Sequence, residues 1–172
     1  TLCREDAAEL SAVLPGEQIV VRRPGVSPRP STGGGRTRTV LFFGTLSRYK
    51  GLDLLLSAFA DVPDATLVIA GFPAPDFDLA EFRRDAERIG RVELVPQYIE
   101  ADAVAGWMQR ADVVVFPYRE IFQSGALHIA QTFGAPIVVT RVGAMPEVNR
   151  HGETGLVVEP DDPRAPAAAI RE

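Results

Sequence analysis

Two stretches of the chain carry polar side chains directly after apolar runs, where they could bind an anion. The first, Gly44–Gly51, reads GTLSRYKG and places Arg48 and Lys50 just ahead of a helical pattern. A lysine beside a helix N-terminus can hold a negative group together with the helix dipole. The stretch is neither a Walker A loop nor a dinucleotide fingerprint, because it lacks their glycine spacing. Taken alone, Lys50 is consistent with a phosphate site and with a plain helix start.

The second stretch, Pro117–Gly125, reads PYREIFQSG and combines a carboxylate with a helix start. Glu120 can accept hydrogen bonds from hydroxyl groups. Ser124 and Gly125 would begin a helix whose free N–H groups suit phosphate. The alternative is that Ser124 only caps the helix and that Glu120 only faces water.

The elements that position these stretches follow from the hydrophobic pattern, which alternates between short apolar runs and helical stripes. Six apolar, β-rich runs are typical of buried strands. They are Thr39–Phe43, Ala65–Ala70, Val92–Val95, Val113–Phe116, Ile137–Thr140 and Gly155–Val158. Helical spacing is found at Gly51–Phe59, Phe77–Ile89, Ala101–Met108, Ser124–Phe133, Pro146–Asn149 and Pro163–Ile170.

Strands that are apolar on both faces and alternate with helices predict a parallel sheet covered on both sides. The predicted fold class is therefore α/β, a doubly wound Rossmann-like domain over residues 37–172. Residues 1–36 differ, because the Pro-, Gly- and Ser-rich run from Pro24 to Gly35 predicts an exposed linker left from an interdomain crossover, with Ile19–Val21 as one further candidate strand. Ligands of such sheets bind outside the carboxyl ends of the strands, which is where both anion-binding stretches would lie.

Composition and charge argue against several classes of protein. The formal net charge of −5 argues against a general nucleic-acid binder. Cys3 is the single cysteine, so no internal disulfide can form, and no Cys/His cluster indicates zinc. The sequence has neither an apolar run of the roughly 20 residues that span a bilayer nor a signal peptide. These features predict a cytoplasmic protein without a transmembrane segment.

Together and in this order, the stretches resemble the C-terminal half of family 4 glycosyltransferases, the group 1 enzymes with the two-domain GT-B fold. The resemblance runs from about Ile19 to the end and is carried by VLFFGTLSRYKGLDLLLSAF, ADVVVFPYRE and QTFGAPIVVTRVGAMPEVNRHGETGLVVEP. It implies a nucleotide-diphosphate sugar as donor substrate, glycosyl transfer with retention, and no additional cofactor. It also implies a missing N-terminal domain that binds the acceptor, so the isolated chain is expected to transfer little sugar. A peripheral membrane contact of the full-length enzyme through that half stays open.

The resemblance implies that the first stretch binds the donor diphosphate. Gly44, Thr45, Arg48 and Lys50 match that loop of the family, and Lys50 matches its lysine. Thr45 stands where the family usually has arginine, so Arg48 is the candidate to reach the phosphates instead. When the bond between the sugar and the nucleoside diphosphate breaks, Lys50 would act catalytically by stabilising the charge that grows on the β-phosphate. Such a scheme needs no divalent metal, and the sequence offers no dense carboxylate cluster to hold one.

The resemblance also implies roles in the second stretch. Glu120 matches the first glutamate of a Glu-x7-Glu motif and would act as a catalytic residue that contacts the donor sugar. The N–H groups near Ser124, Gly125 and Ala126 would stabilise the phosphate. His128 stands where the family's second glutamate binds the ribose hydroxyls. Either its imidazole forms such a hydrogen bond, or His128 lies on the helix without a role.

A third region, VPQYIEADAV, matches the part of the family that lies near the nucleotide base. Tyr98 and Ile99 would flank the base, with backbone groups reading its edge. The alternative for Tyr98 is a buried position in the core.

Two other functions remain open at this point. One is a GT-B-like epimerase that rearranges or hydrolyses its own nucleotide sugar, for which the only histidines available as acid and base are His128 and His151. The other is a non-catalytic Rossmann-like module that binds a nucleotide or a partner.

Overall fold

The structure is a computed structural model that describes residues 38–172. Its strands are β1 (Arg38–Phe43), β2 (Ala65–Ala70), β3 (Val92–Val95), β4 (Val113–Phe116), β5 (Ile137–Thr140) and β6 (Leu156–Val158). Its α-helices are α1 (Leu52–Ala60), α2 (Leu79–Ile89), α3 (Val104–Arg110), α4 (Gly125–Thr132), α5 (Met145–Val148) and α6 (Arg164–Arg171). A turn of 3-10 helix, Arg48–Lys50, precedes α1. The linker predicted for residues 1–36, with the candidate strand Ile19–Val21 and with Cys3, lies outside the described residues.

The strands form one parallel sheet in the order β3-β2-β1-β4-β5-β6. β1 and β2 pair along their whole length, from Arg38 beside Ala65 to Phe43 beside Ala70. On its other side β1 pairs with β4. This order is that of doubly wound nucleotide-binding folds, in which the direction of winding reverses between the strands in the place of β1 and β4. The predicted Rossmann-like α/β class is confirmed.

Apolar side chains on the central strands form the core between the sheet and its helices. β1 is buried from Val40 to Phe43, and β4 is buried from Val114 to Phe116. Such residues favour strands because branched and aromatic side chains pack well on a pleated surface. α1 supplies a matching apolar stripe at helical spacing, formed by Leu52, Leu55, Leu56 and Phe59.

The helix boundaries differ from the predicted ones by a few residues, for local reasons. α2 begins at Leu79 because the Asp78 side chain accepts a hydrogen bond from the Glu81 N–H at 2.9 Å and so caps the helix. Phe77, which was predicted to belong to the helix, lies outside it but packs on Phe82 with ring centroids 5.2 Å apart. Over residues 38–172 no helix is long and apolar enough to cross a membrane.

Candidate functional site

The loops after β1 and β4 lie side by side where the sheet changes its direction of winding. The N–H of Arg119, in the second loop, donates to the carbonyl of Tyr49, in the first, at 2.8 Å. Gly51 has φ 63°, and a Cβ at this position would overlap the carbonyl oxygen of Pro117. Glycine is therefore required both by the left-handed backbone and by the close approach of the two loops. The structure brings the two predicted anion-binding stretches together.

Lys50 is buried at this junction, with 7% of its surface exposed. Its Nζ lies 5.7 Å from the ring centroid of Tyr49 and 5.6 Å from that of Tyr118. A Cβ placed on Gly44 would lie 3.4 Å from this Nζ and 3.5 Å from the Cβ of Ala126. The ammonium therefore lies beside the end of β1 and the first turn of α4.

No acidic residue within the range 38–172 forms an ion pair with Lys50. Burial lowers the pKa of Lys50 to about 8, because removal from water disfavours the charged form. The two aromatic rings compensate in part, since a cation over a ring face is attracted to it. An anion that reached Nζ would supply the charge that the described part of the protein does not.

Tyr118 connects Lys50 to the start of α4. The Tyr118 side chain is fully buried, and its hydroxyl lies 3.4 Å from the Oγ of Ser124. Ser124 in turn accepts a hydrogen bond from the Leu127 N–H at 3.2 Å and caps α4 as predicted. Burial raises the pKa of Tyr118, so its hydroxyl keeps its proton at neutral pH. The ring is fixed by edge contacts with Phe42, Tyr49 and Phe116.

The first turn of α4 offers backbone donors next to the ammonium. Among residues 38–172, no acceptor is found for the N–H groups of Gly125 and Ala126. Gly125 is exposed, and a Cβ there would meet nothing within 4 Å. Free N–H groups at a helix start carry partial positive charge, and Lys50 adds a full charge beside them. This combination suits a phosphate group.

His128 lies one turn further along α4 and borders a small cavity between α4 and α5. The cavity has a volume of about 10 Å³, and its lining consists of Gln123, Ser124, Leu127, His128, Ala144, Met145 and Val148. That volume holds about one water molecule. His128 is half-buried and lines this cavity, and it belongs to the helix that begins beside Lys50.

Three further predicted residues, Thr45, Arg48 and Glu120, are exposed on the same two loops. The backbone N–H of Arg48 donates to Oδ2 of Asp76 at 3.2 Å, so a carboxylate lies at the start of the 3-10 turn. Arg48 therefore has an acidic neighbour, whereas Lys50 has none in the described range. Within residues 38–172 no three His, Cys, Asp or Glu side chains are grouped so as to hold a metal ion.

Tyr98 and Ile99 follow β3, two strands away from β1 in the sheet. Tyr98 is 68% exposed, so the alternative of a buried core position is wrong. Phe72, which follows the intervening strand β2, is 56% exposed. Tyr98 and Phe72, which follow the neighbouring strands β3 and β2, thus both face solvent at the carboxyl edge of the sheet.

Tyr118 and Arg119 belong to the site although the sequence patterns do not single them out. A tyrosine that follows an apolar strand has the pattern of a core residue, and an arginine in a loop has the pattern of a solvated charge. A signal for Lys50 does exist in the composition, because it is the only lysine among the 18 basic residues of the chain.

Comparison with known proteins gives a family and a set of relatives. A family model described as "Glycosyl transferases group 1" matches residues 37–172. The D-inositol 3-phosphate glycosyltransferase of Mycobacterium marinum (strain ATCC BAA-535 / M) is 32% identical over 177 residues, which cover 97% of this chain and 37% of that protein. The chain thus spans well under half the length of this relative.

Solved structures share the fold. Sucrose-phosphate synthase from Thermosynechococcus elongatus matches with a TM-score of 0.71 and 30% identity, over 78% of this chain and 35% of that one. Anabaena HepE, solved in complex with UDP and glucose, matches with a TM-score of 0.70 and 24% identity, over 78% of this chain and 38% of that one. The second likeness concerns the fold alone.

Proposed function

This chain belongs to the group 1 glycosyltransferases, and we propose that it forms the part of such an enzyme that binds a nucleotide-diphosphate sugar. One observation carries the proposal. Lys50 is a buried ammonium without an acidic partner in residues 38–172, and it lies beside the first turn of α4, where the N–H groups of Gly125 and Ala126 have no acceptor in that range. A diphosphate supplies the negative charge and the acceptor oxygens that both lack.

The same arrangement favours departure of the nucleoside diphosphate. As the bond from the anomeric carbon to the phosphate oxygen breaks, the electron pair passes to that oxygen, and negative charge grows on the β-phosphate. Lys50 and the N–H groups at the start of α4 stabilise this charge, and burial of Lys50 strengthens the interaction. Glu120, exposed on the neighbouring loop, binds hydroxyl groups of the sugar. Retention of the anomeric configuration is part of the proposal and rests on the family resemblance.

In this proposal the remaining predicted residues contact the diphosphate, the ribose and the base. Thr45 and Arg48 border the diphosphate, and His128 binds a ribose hydroxyl from the cavity beside α4. Tyr98 and Ile99 flank the base from the exposed side of β3. Thr45, Arg48, Tyr98 and Ile99 follow strands at the carboxyl edge of the sheet, and His128 lies in the first half of α4, which begins at that edge. This shared location supports the assignment.

We expect the sugar acceptor to be bound by parts of the enzyme outside residues 37–172. The chain spans 37% of its Mycobacterium marinum relative, and the family match supports taking residues 37–172 as one unit. We therefore propose that the isolated chain binds nucleotides weakly and transfers little sugar. A peripheral membrane contact, if the full-length enzyme has one, belongs to the remainder, and a cytoplasmic location stays a prediction.

Calorimetric titration of the chain with UDP, GDP and ADP tests the site. At least one nucleotide is expected to bind, and Lys50→Ala is expected to weaken it by about tenfold or more, since charged hydrogen bonds are worth about 1.5–3 kcal/mol. Arg88→Ala is the control, because Arg88 is exposed in the last turn of α2, at the opposite edge of the sheet from both loops. Binding that Lys50→Ala leaves unchanged refutes the site. No binding to any of the three favours a non-catalytic module.

Product analysis with the full-length protein separates the transferase from an epimerase. An epimerase needs an acid and a base on one sugar. His151 lies beside the start of β6, at the amino-terminal edge of the sheet, where its Nδ1 accepts a hydrogen bond from the Val157 N–H at 3.1 Å. His128 is therefore the histidine near Lys50 in the described range. A new glycoside supports the transferase, and a rearranged nucleotide sugar without acceptor contradicts it.

A further inference from the structure

The Arg119 side chain joins three segments at the carboxyl edge of the sheet. Its Nη1 and Nη2 donate to the two carboxylate oxygens of Asp53, each at 2.7 Å, in the first turn of α1. Its Nε donates to Oδ1 of Asp161, after β6, at 3.2 Å. Its Nη1 also donates to the carbonyl of Arg48 at 3.3 Å. One guanidinium thus connects the loops that follow β1, β4 and β6.

These contacts occupy Arg119 fully enough that it is not a ligand-binding group in this arrangement. Four of the five N–H donors of a guanidinium are used. The paired contact with Asp53 fixes both distance and angle, which a lysine would not reproduce. The hydrogen bond from Arg119 lowers the pKa of Asp53, and the hydrogen bond with Asp53 raises the pKa of Arg119. Both groups stay charged over the neutral pH range.

The position of Arg119 in the chain ties this contact to Lys50. The backbone N–H of Arg119 donates to Tyr49, and Tyr118 is its immediate neighbour. Tyr49 and Tyr118 supply the two rings beside the Lys50 ammonium. A shift of Arg119 relative to α1 would therefore move one ring against the other and open the space around Nζ.

We propose that Arg119, through Asp53, is a positioning residue of the donor site, which holds the loop of Lys50 against the loop of Glu120 and Ser124. The effect of Arg119 on nucleotide binding rests on the proposed function. The effect of Arg119 on Lys50 does not, because the two rings enclose the ammonium without a ligand. The two consequences can be measured separately.

Lys50 provides the probe, since it is the only lysine in the chain. Reductive methylation with isotope-labelled formaldehyde gives one lysine signal in an NMR spectrum, and Lys50→Arg identifies it by its disappearance. The titration of this signal reports how far Lys50 is shielded from water. UDP, GDP and ADP affinities are measured on the same variants.

Arg119→Met and Asp53→Asn together distinguish positioning from a charge effect at a distance. Loss of a nearby positive charge raises the pKa of Lys50 and weakens nucleotide binding, whereas loss of a nearby negative charge does the opposite. Loss of positioning admits water to Lys50 and misplaces it, so the pKa rises and binding weakens in both variants. The expected loss in affinity is about tenfold in each, equal to one charged hydrogen bond.

Arg110→Met and Glu93→Gln are the matched controls. They break an exposed ion pair of 3.3 Å that lies at the amino-terminal edge of the sheet. Neither is expected to change the Lys50 titration or nucleotide affinity. If Arg119→Met does not fold, Asp53→Asn decides alone, because the Asp53 side chain is 66% exposed on the surface of α1.

The outcomes separate the two proposals. A Lys50 pKa that rises in both Arg119→Met and Asp53→Asn supports the positioning role, and weaker nucleotide binding in both extends it to the ligand. If that pKa rises in both while the wild-type chain binds no nucleotide, the positioning of Lys50 stands and the proposed function fails. Shifts of opposite sign in the two variants, or no shift in either, overturn the role of Arg119.

Discussion

The Nζ of Lys50 lies 5.6 Å from the ring centroid of Tyr118, and the hydroxyl of the same ring lies 3.4 Å from Oγ of Ser124. One buried side chain therefore joins the cation to the residue that caps α4. A cation–π contact of a desolvated ammonium is worth about 2 kcal/mol, which is less than the hydration it replaces. Because the rings do not replace all of the lost hydration, a bound anion would stabilise the Lys50 ammonium further.

Nucleotide affinity is expected to fall as the pH rises through the pKa of Lys50. Burial lowers that pKa to about 8 in the free chain, and a bound diphosphate raises it by supplying an opposite charge. Nucleotide affinity is therefore highest at pH values below the pKa that Lys50 has in the free chain. Above it, affinity falls about tenfold per pH unit until the pKa of the complex is reached. Calorimetric titration of the tightest of UDP, GDP and ADP at several pH values measures this fall.

Lys50→Arg is the control for this pH dependence. A guanidinium stays charged throughout the range, so the affinity of this variant is expected to be flat, although its level at neutral pH differs because the side chain is larger. An equally flat profile for the wild-type chain would contradict a charged Lys50 as phosphate ligand.

Lys50→Met is expected to stabilise the free chain at neutral pH while it weakens nucleotide binding by about tenfold or more. Methionine fills similar space without a buried charge, and such replacements gain about 0.5–2 kcal/mol. The folded pKa of Lys50 is depressed below its unfolded value, so the wild-type chain itself becomes more stable as the pH rises from about 8. The gain from Lys50→Met should shrink over that range. Urea unfolding at neutral and alkaline pH measures both effects, and a Lys50→Met chain that is less stable at neutral pH contradicts the expectation.

The sheet was predictable from the sequence because most of its strands are short, predominantly apolar runs. Ala65–Ala70, Val92–Val95, Val113–Phe116 and Ile137–Thr140 have the predicted bounds. The strand order was not predicted, because pairing depends on contacts distant in sequence. That order puts β1 beside β4, and it explains why two separate stretches form one site.

The site was predictable only where local pattern carries information. Lys50 and Ser124 each stand at a recognisable helix start, and the structure brings both to one place. Arg119 escapes such reasoning because its partners Asp53 and Asp161 are 66 and 42 residues away. Burial at Tyr98 was likewise not decided by its sequence, since an aromatic residue after a strand fits the core and the surface equally well.

Ser124→Gly and Ser124→Ala are expected to separate the capping role of Ser124 from a ligand contact. Loss of the cap in Ser124→Ala lowers the free energy of unfolding by about 1 kcal/mol, whereas glycine at this position costs only a few tenths. The Ser124 hydroxyl already accepts from Leu127, so nucleotide affinity in Ser124→Gly is expected to stay within about twofold of wild type, well below one hydrogen bond. Chemical unfolding and calorimetry measure the two quantities. A large loss of affinity at nearly unchanged stability would instead assign the hydroxyl to the phosphate.

Gly51→Ala is expected to destabilise the fold by more than about 2 kcal/mol, beyond the usual range for a surface substitution. The backbone of Gly51 is left-handed, and an added Cβ would overlap the carbonyl oxygen of Pro117. Gly106→Ala is the matched control, because Gly106 lies inside α3 and a Cβ there meets nothing within 4 Å. Alanine is favoured over glycine in a helix interior by about 0.5–1 kcal/mol, so this variant should gain stability. The two substitutions add the same methyl group with opposite expected signs. Equal effects in urea unfolding would show that the loops after β1 and β4 do not pack as closely as Gly51 requires.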